Sequence, residues 1–279
     1  MITGAAGLLG TATVARFSAT SIVLPLTHQD LDIRDEPAVL QAARLHRPDV
    51  IINCAAYNDV DGAEDDPQAA LEANAFGVLS LARAAAACGV TLVHYSTDFV
   101  FDGEADRPYV EDDPARPRSH YGRSKLLGEW FAADAARYYV LRVESLFGGL
   151  RQKSSSVDRL LSALQRGEPA KAFVDRTVTP SYVVDVTAAT EQLLALHVPY
   201  GLYHCVNSGV TTWLGIAREL AQLLGCPDRV VPVSVNDVIM KASRPRYCAL
   251  SNQKLAEYGI AMPSWRDALA RYVNGIRQL

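Results

Sequence analysis

The sequence predicts an α/β protein: a doubly wound parallel sheet with a smaller C-terminal α/β lobe. Three observations predict it. A glycine-rich turn, Thr3-Gly4-Ala5-Ala6-Gly7-Leu8-Leu9-Gly10, opens the chain and feeds a helical stretch from Thr11 to Phe17. Short apolar runs then alternate with helical segments as far as Gly149. Several of those runs are apolar throughout, as expected of parallel strands covered on both faces.

Each element carries its own signal. Only Met1 and Ile2 precede the turn, whereas a strand leading into it should have ~5 residues, so the first strand is short or begins upstream of Met1. The glycines permit a tight turn, close approach of a pyrophosphate to the backbone and close helix-to-strand packing, with the phosphate at the positive end of the helix. Gly4, Gly7, Leu8, Leu9 and Gly10 are therefore candidate cofactor-binding residues of a Rossmann-type sheet, although their spacing is G-x-x-G-x-x-G rather than G-x-G-x-x-G. Ser21 to Leu26 reads as a second strand ending at Thr27-His28-Gln29. An acid there would bind the ribose 2′-hydroxyl of NAD and repel the 2′-phosphate of NADP. That segment has no acid and no arginine, so the reading leans to NADPH with NADH tolerated. Asp32 and Ile33 follow shortly and join the cofactor candidates, with a helix from Glu36 to His46.

Asp49 to Ala56 reads as a buried strand delivering Ala55, Ala56 and Tyr57 to the cofactor side; Pro67 to Gly89 holds two helical segments around Asn74. Leu92 to Ser96 is the next strand, Asp106 to Ser119 a proline-bearing loop, Tyr121 to Trp130 a helix and Tyr139 to Val143 a strand. In such a sheet ligands bind at the carboxyl ends of the strands. The glycine turn, Ala55-Ala56, Ser96-Thr97 and the stretch from Arg142 to Gly148 all follow strands and converge on one cleft. Tyr121 and Lys125 stand one helical turn apart on one face. An ammonium held near a phenol favours the phenolate, so a pKa ordinarily near ~10 is expected to fall, making Tyr121 a proton donor or acceptor near neutral pH.

The second half alternates less regularly. Helices are expected over Ser156–Arg166, Asp185–His197, Thr212–Leu224 and Trp265–Leu279, an extended stretch over Ala172–Tyr182 and a strand over Gly201–Asn207. Residues 1–149, with 183–207 returning to them, are read as the NAD(P)-binding domain; 150–182 and 208–279 form the substrate lobe.

The bulk numbers exclude other classes. A net charge of -4 with pI near 5.9 offers no electrostatic footprint for nucleic acid or an anionic membrane. Five widely spaced cysteines without a C-x-x-C read as free thiols in a reducing compartment. No apolar run reaches the ~18 residues of a membrane span, and a cytoplasmic location is expected.

Taken together, the glycine turn, Asn53-Cys54-Ala55-Ala56-Tyr57, Asn74-Ala75-Phe76-Gly77, Tyr95-Ser96-Thr97-Asp98-Phe99-Val100-Phe101-Asp102-Gly103 and Tyr121-x-x-x-Lys125 resemble the extended short-chain dehydrogenase/reductase superfamily. Within it, the S-T-D-x-V-F-D-G stretch, Gly201-Leu202-Tyr203-His204 and Arg244-Pro245-Arg246 are similar to the dTDP-4-dehydrorhamnose reductase group, almost end to end. The resemblance implies reduction of the C4 ketone of a nucleotide-linked, dTDP-type 4-keto-6-deoxysugar by NADPH. It implies that Thr97 hydrogen-bonds the carbonyl, that Tyr121 donates the proton, and that Lys125 binds the nicotinamide ribose and tunes the phenol. Ser96 and Asn74 would flank the cofactor, and Asp98 and Val100 the substrate. Ser145, Thr179 and Tyr182 would surround the sugar, with Arg244 and Arg246 on the diphosphate.

Departures from the group's pattern stand beside these roles. The usual Trp after the sixth strand is replaced within Arg142-Val143-Glu144-Ser145-Leu146-Phe147-Gly148, and the usual Gly-x-Pro-Thr within Arg176-Thr177-Val178-Thr179-Pro180-Ser181-Tyr182. Both fall on the expected sugar wall. Some group members hold Mg at a dimer interface through an acid early in the first helix; Thr11 to Phe17 has none, so no metal is expected, while a homodimer is allowed. The alternatives are a nucleotide-sugar epimerase or dehydratase, and a non-catalytic cofactor-binding subunit similar to the β subunit of methionine adenosyltransferase. Dehydratases follow the Thr-Asp pair with a Glu, where Phe99 stands here; the intact Thr97, Tyr121 and Lys125 argue against lost chemistry.

Overall fold

Alternation along the strands decides the architecture, because successive side chains point to opposite faces. The computed structural model describes residues 1–149, 155–226 and 229–277. Six strands, β1 (Ile2–Thr3), β2 (Pro25–Leu26), β3 (Val50–Asn53), β4 (Thr91–Thr97), β5 (Tyr138–Val143) and β8 (Gly201–His204), pair in the order β2-β1-β3-β4-β5-β8, every pair parallel. On one face Ile51, Leu92 and Val140 pack with α2 (Glu36–His46), α5 (Gly77–Cys88) and α6 (His120–Ala132). On the other, Ile52, Val93, Leu141 and Val143 pack with α1 (Leu8–Phe17) and α8 (Val183–Ala195). This is the doubly wound parallel sheet that the alternation predicts.

Strand order reverses between β1 and β3, and the crevice outside that point is where α/β sheets of this kind bind ligands. Between β3 and α5 lie α3 (Gly62–Asp65), α4 (Pro67–Leu71) and a π-helical turn, Glu72–Phe76, centred on Asn74. A second core joins α7 (Ser156–Gln165), α9 (Trp213–Leu224) and α11 (Trp265–Arg277) around Leu161, Ile216, Leu220, Leu269 and Tyr272. Two small sheets border it: β6 (Ala170–Phe173) with β10 (Val230–Val233), and β7 (Thr177–Val178) with β9 (Thr211–Thr212). A short α10 (Gln253–Glu257) precedes α11.

Three elements differ from the sequence reading. The second strand is only Pro25–Leu26, because Ile22 is fully exposed rather than packed on the sheet. β10, unforeseen, carries Pro232 in its middle, a residue that removes a ladder donor and argues against a strand except at an edge. α10 spans five residues, too few to show a helical period.

Candidate active site

The first side of the cleft is built by glycine. Gly4 has φ 65°, and a Cβ there would lie 2.5 Å from Ala55 N. A Cβ at Gly10 would lie 2.1 Å from Gly4 O, so the turn, α1 and β3 can touch only as backbone. No side chain caps α1 at Gly7, which leaves its first N–H groups and positive end available to an anion. A hollow of about 520 Å³ runs from this turn past Ala55, Ala56 and Tyr57 to Asp32, Ile33, His28 and Arg34. The donor set fits a dinucleotide: bare backbone for the pyrophosphate, a carboxylate and a guanidinium at the far end. Arg34 grips Asp32 with Nη2 2.6 Å and Nε 2.9 Å from its oxygens, and those hydrogen bonds hold the Asp32 carboxyl down at about 2. Arg34 comes five residues after Thr27-His28-Gln29, the strand end at which the sequence shows no guanidinium. Asn74 lines no part of this hollow: buried in the π turn, its Oδ1 accepts the Tyr57 N–H at 2.8 Å and its Nδ2 donates to Ser124 Oγ at 3.0 Å.

A larger adjoining cavity, about 690 Å³, is where the strand ends meet: Thr97, Asp98, Tyr121, Lys125 and Ser145 line it, with Gly7 and Ala55 on the cofactor side. Ser119 caps α6, accepting from Gly122 N at 3.1 Å, and this starts the helix so that Tyr121 and Lys125 both project into the cavity. Ser96 lies at the same strand end and donates to Glu129 Oε1 at 2.5 Å. Ser145 has φ 46°, a left-handed conformation unusual outside glycine and often stored at functional sites.

Electrostatics here correct one expectation. Lys125 Nζ donates to Tyr95 O at 2.6 Å, and burial brings the ammonium down to about 8. The Tyr121 phenol is raised, not lowered: burial is the main cause, the Asp98 charge adds to it, and only the Thr97 hydroxyl opposes them. Helical spacing puts Tyr and Lys on one face without showing where the ammonium points. Tyr121 is thus a neutral phenol at pH 7, the form that can give a proton.

Of the expected substrate residues, Arg244 lines the cavity but is clamped to Asp61 (Nη1–Oδ1 2.7 Å, Nη2–Oδ2 2.8 Å). Arg246 is exposed, outside the cavity lining, and donates to Asn236 Oδ1 at 2.7 Å. Val100 is core beside Phe101, Thr179 is buried against Glu144, and Tyr182 stacks on Phe147 with ring centroids 5.3 Å apart. None of these three lines the cavity. Arg159, Arg176 and Trp213 line it instead. Trp213 Nε1 is buried with no hydrogen-bond partner among the described residues. Only the apolar period of α9, of which Trp213 is the first residue, marks it in the sequence.

The description "RmlD substrate binding domain" matches residues 1–278. The chain belongs to this RmlD family. It is 39% identical over 282 residues to a dTDP-4-dehydrorhamnose reductase of Mycobacterium tuberculosis, covering 97% of this chain and 90% of that protein. It is 34% identical over 278 residues to a dTDP-4-keto-6-deoxy-D-glucose reductase of Streptomyces niveus, covering 97% and 95%. A crystal structure of dTDP-4-dehydrorhamnose reductase from Bacillus anthracis in complex with NADP matches with TM-score 0.93 and 31% identity over 98% of each chain. In this chain the two stretches that depart from the group's pattern meet in space. Glu144 Oε2 accepts the Thr179 N–H at 2.6 Å, and the Glu144 N–H reaches Ser181 Oγ at 3.3 Å. Among the described residues no helix is long and apolar enough to cross a membrane.

Proposed function

We propose that this chain is an NADPH-dependent reductase of the C4 ketone of a nucleotide-linked, dTDP-type 4-keto-6-deoxysugar. The observation that carries the reading is the meeting of Thr97, Tyr121 and Lys125 in one cavity that opens onto the bare glycine turn. The NADP complex of the Bacillus anthracis relative and the substrates named for the other two relatives support it. Bound nicotinamide supplies the hydride; the chain supplies everything else. Charge that builds on the ketone oxygen is met by the Thr97 hydroxyl and by the proton of Tyr121. Lys125, which lines the same cavity, would bind the nicotinamide ribose. Phe99, where a dehydratase would have an acid, packs edge-on against Tyr121 with ring centroids 5.6 Å apart, which disfavours elimination chemistry.

For the nucleotide diphosphate, Arg159 takes the place of Arg246, with Arg244 available if it exchanges Asp61 for phosphate. At the cofactor's far end Arg34 stands in for the missing guanidinium. Arg34→Ala is expected to lower kcat/KM for NADPH about tenfold or more, since a charge-assisted contact is worth ~1.5–3 kcal/mol, and to leave NADH nearly unchanged. Equal losses with both cofactors would show that Arg34 does not face the 2′-phosphate.

Purified protein incubated with NADPH and a panel of dTDP-4-keto-6-deoxysugars tests the function. Oxidation of NADPH with at least one sugar is expected; background rates with all of them would refute the reductase.

A further inference from the structure

Beneath Thr97 lies a buried group of side chains for which the reduction as described has no use. One carboxylate oxygen each of Asp98 and Glu144 and the Cys248 sulfur lie within 4.8 Å of one another, and these residues are 4%, 1% and 1% exposed. Glu144 Oε2 is satisfied twice, by Thr179 N at 2.6 Å and by Thr179 Oγ1. The Thr179 oxygen also accepts from Leu250 N at 3.1 Å. Glu144 Oε1, in contrast, is buried with no partner. A carboxylate oxygen left in that position is costly unless a proton satisfies it, and the Asp98 carboxyl is the other acid of the cluster. A metal ion is the other candidate, but Arg176 already stands there, Nη2 3.7 Å from Cys248 Sγ. One guanidinium cannot neutralise two buried carboxylates, so one proton is required.

We infer that Asp98 and Glu144 hold a single proton between them, and that its position sets the direction of the Thr97 hydroxyl, making Glu144 a positioning residue for the reduction proposed above. Thr97 Oγ1 accepts from Phe99 N at 3.2 Å and donates to Asp98 Oδ1 at 3.0 Å. Its one proton is thereby spent on the carboxylate. When the shared proton sits on Glu144, Asp98 is ionised and holds Thr97 turned away from the ketone. When it moves to Asp98, that carboxyl donates to Thr97 Oγ1 and frees the hydroxyl to donate to the ketone oxygen. No bond to the substrate forms or breaks in this step; one proton moves between two carboxyl groups.

The neighbouring charges agree with retention of one proton. Burial raises Asp98 to about 6 against the opposing Thr97 hydroxyl and Arg176 charge, and burial followed by the Asp98 charge raises Glu144 well above the usual carboxyl range. The other titratable groups facing the pair, Tyr121, Tyr247 and Cys248, are all raised, each by burial first, and so stay neutral at pH 7. Arg176 is a cation that acts on both acids, opposing the rise of each.

Infrared spectroscopy tests the proton without substrate. Wild-type protein at pH 7 is expected to show the carbonyl band of a protonated carboxyl group, lost in Glu144→Gln and in Asp98→Asn; absence of that band from the wild type overturns the inference even if ketone reduction is observed. Kinetics test the consequence. In Glu144→Gln the amide donates to Asp98 and keeps it ionised at neutral pH, so kcat should fall about tenfold at pH 7.5 and recover as pH falls, moving the alkaline limb to lower pH. A purely structural role would lower kcat equally at every pH. An alkaline limb in its wild-type place, with the infrared band present, overturns the positioning role. If Glu144→Gln does not fold, the wild-type band and its loss in Asp98→Asn decide whether the pair holds a proton.

Discussion

Tyr121→Phe is expected to lower kcat by a factor of about 10² or more while the KM for NADPH changes little. The substitution removes the phenolic proton and keeps the ring, which packs edge-on against Phe99 and closes the wall over Ala63 and Ala70. The fold and the cofactor hollow are thus left intact, and the loss falls on the one step that needs an acid. Unchanged turnover would remove Tyr121 from the reaction. Lys125→Met makes the informative contrast. Its ammonium donates to the Tyr95 carbonyl and lines the cavity, so both kcat and cofactor affinity should suffer; a pure kcat effect would argue against a ribose contact.

The second large effect is on stability. Glu129 receives Arg142 Nε at 2.8 Å and Nη2 at 2.7 Å, and the Ser96 hydroxyl at 2.5 Å, with both charged side chains buried. This pair ties α6 to β5 and β4 directly behind Lys125, whose charge Glu129 helps to keep. Glu129→Ala strands a buried guanidinium and should cost about 3–5 kcal/mol, read as a lower urea midpoint at unchanged slope. Because the penalty is mainly that of the unpaired charge, a double variant, Glu129→Leu with Arg142→Met, should recover most of it. A loss below about 1 kcal/mol in Glu129→Ala would show that water reaches Arg142 and that the pair is not a buried one.

What could be read from the sequence follows strand periodicity. β3, β4 and β5 are runs in which consecutive residues such as Ile51 and Ile52, or Leu92 and Val93, belong to opposite cores, and uninterrupted apolarity reports that directly. Residues at strand ends inherit their place from the strand, and so Thr97 and Ala55 reach the cleft without further information. The substrate side has no such frame. Arg244, Pro245 and Arg246 are adjacent in the chain, yet one guanidinium lines the cavity and the other donates to Asn236; the sequence shows the charges and the proline, not the direction in which each side chain leaves the loop. Arg176, Arg159 and Trp213 come from separate elements joined only by the second core. The direction of the Tyr121 shift has a related cause: Lys125 is visible one turn away, but the Tyr95 carbonyl that accepts its hydrogen bond and the burial of Asp98 are properties of the folded cavity.

In the proposed reaction, hydride and proton arrive at C4 of a nucleotide-linked deoxysugar in the cavity formed by Thr97, Tyr121 and Lys125. Reduction of a dTDP-4-keto-6-deoxysugar with NADPH deuterated at nicotinamide C4, followed by NMR of the sugar, measures this most directly. One deuterium is expected at sugar C4 per NADPH oxidised when the transferred position is labelled, and none in the Tyr121→Phe variant beyond its residual rate. Deuterium absent from C4 while NADPH is consumed, or product formed without NADPH, would contradict it.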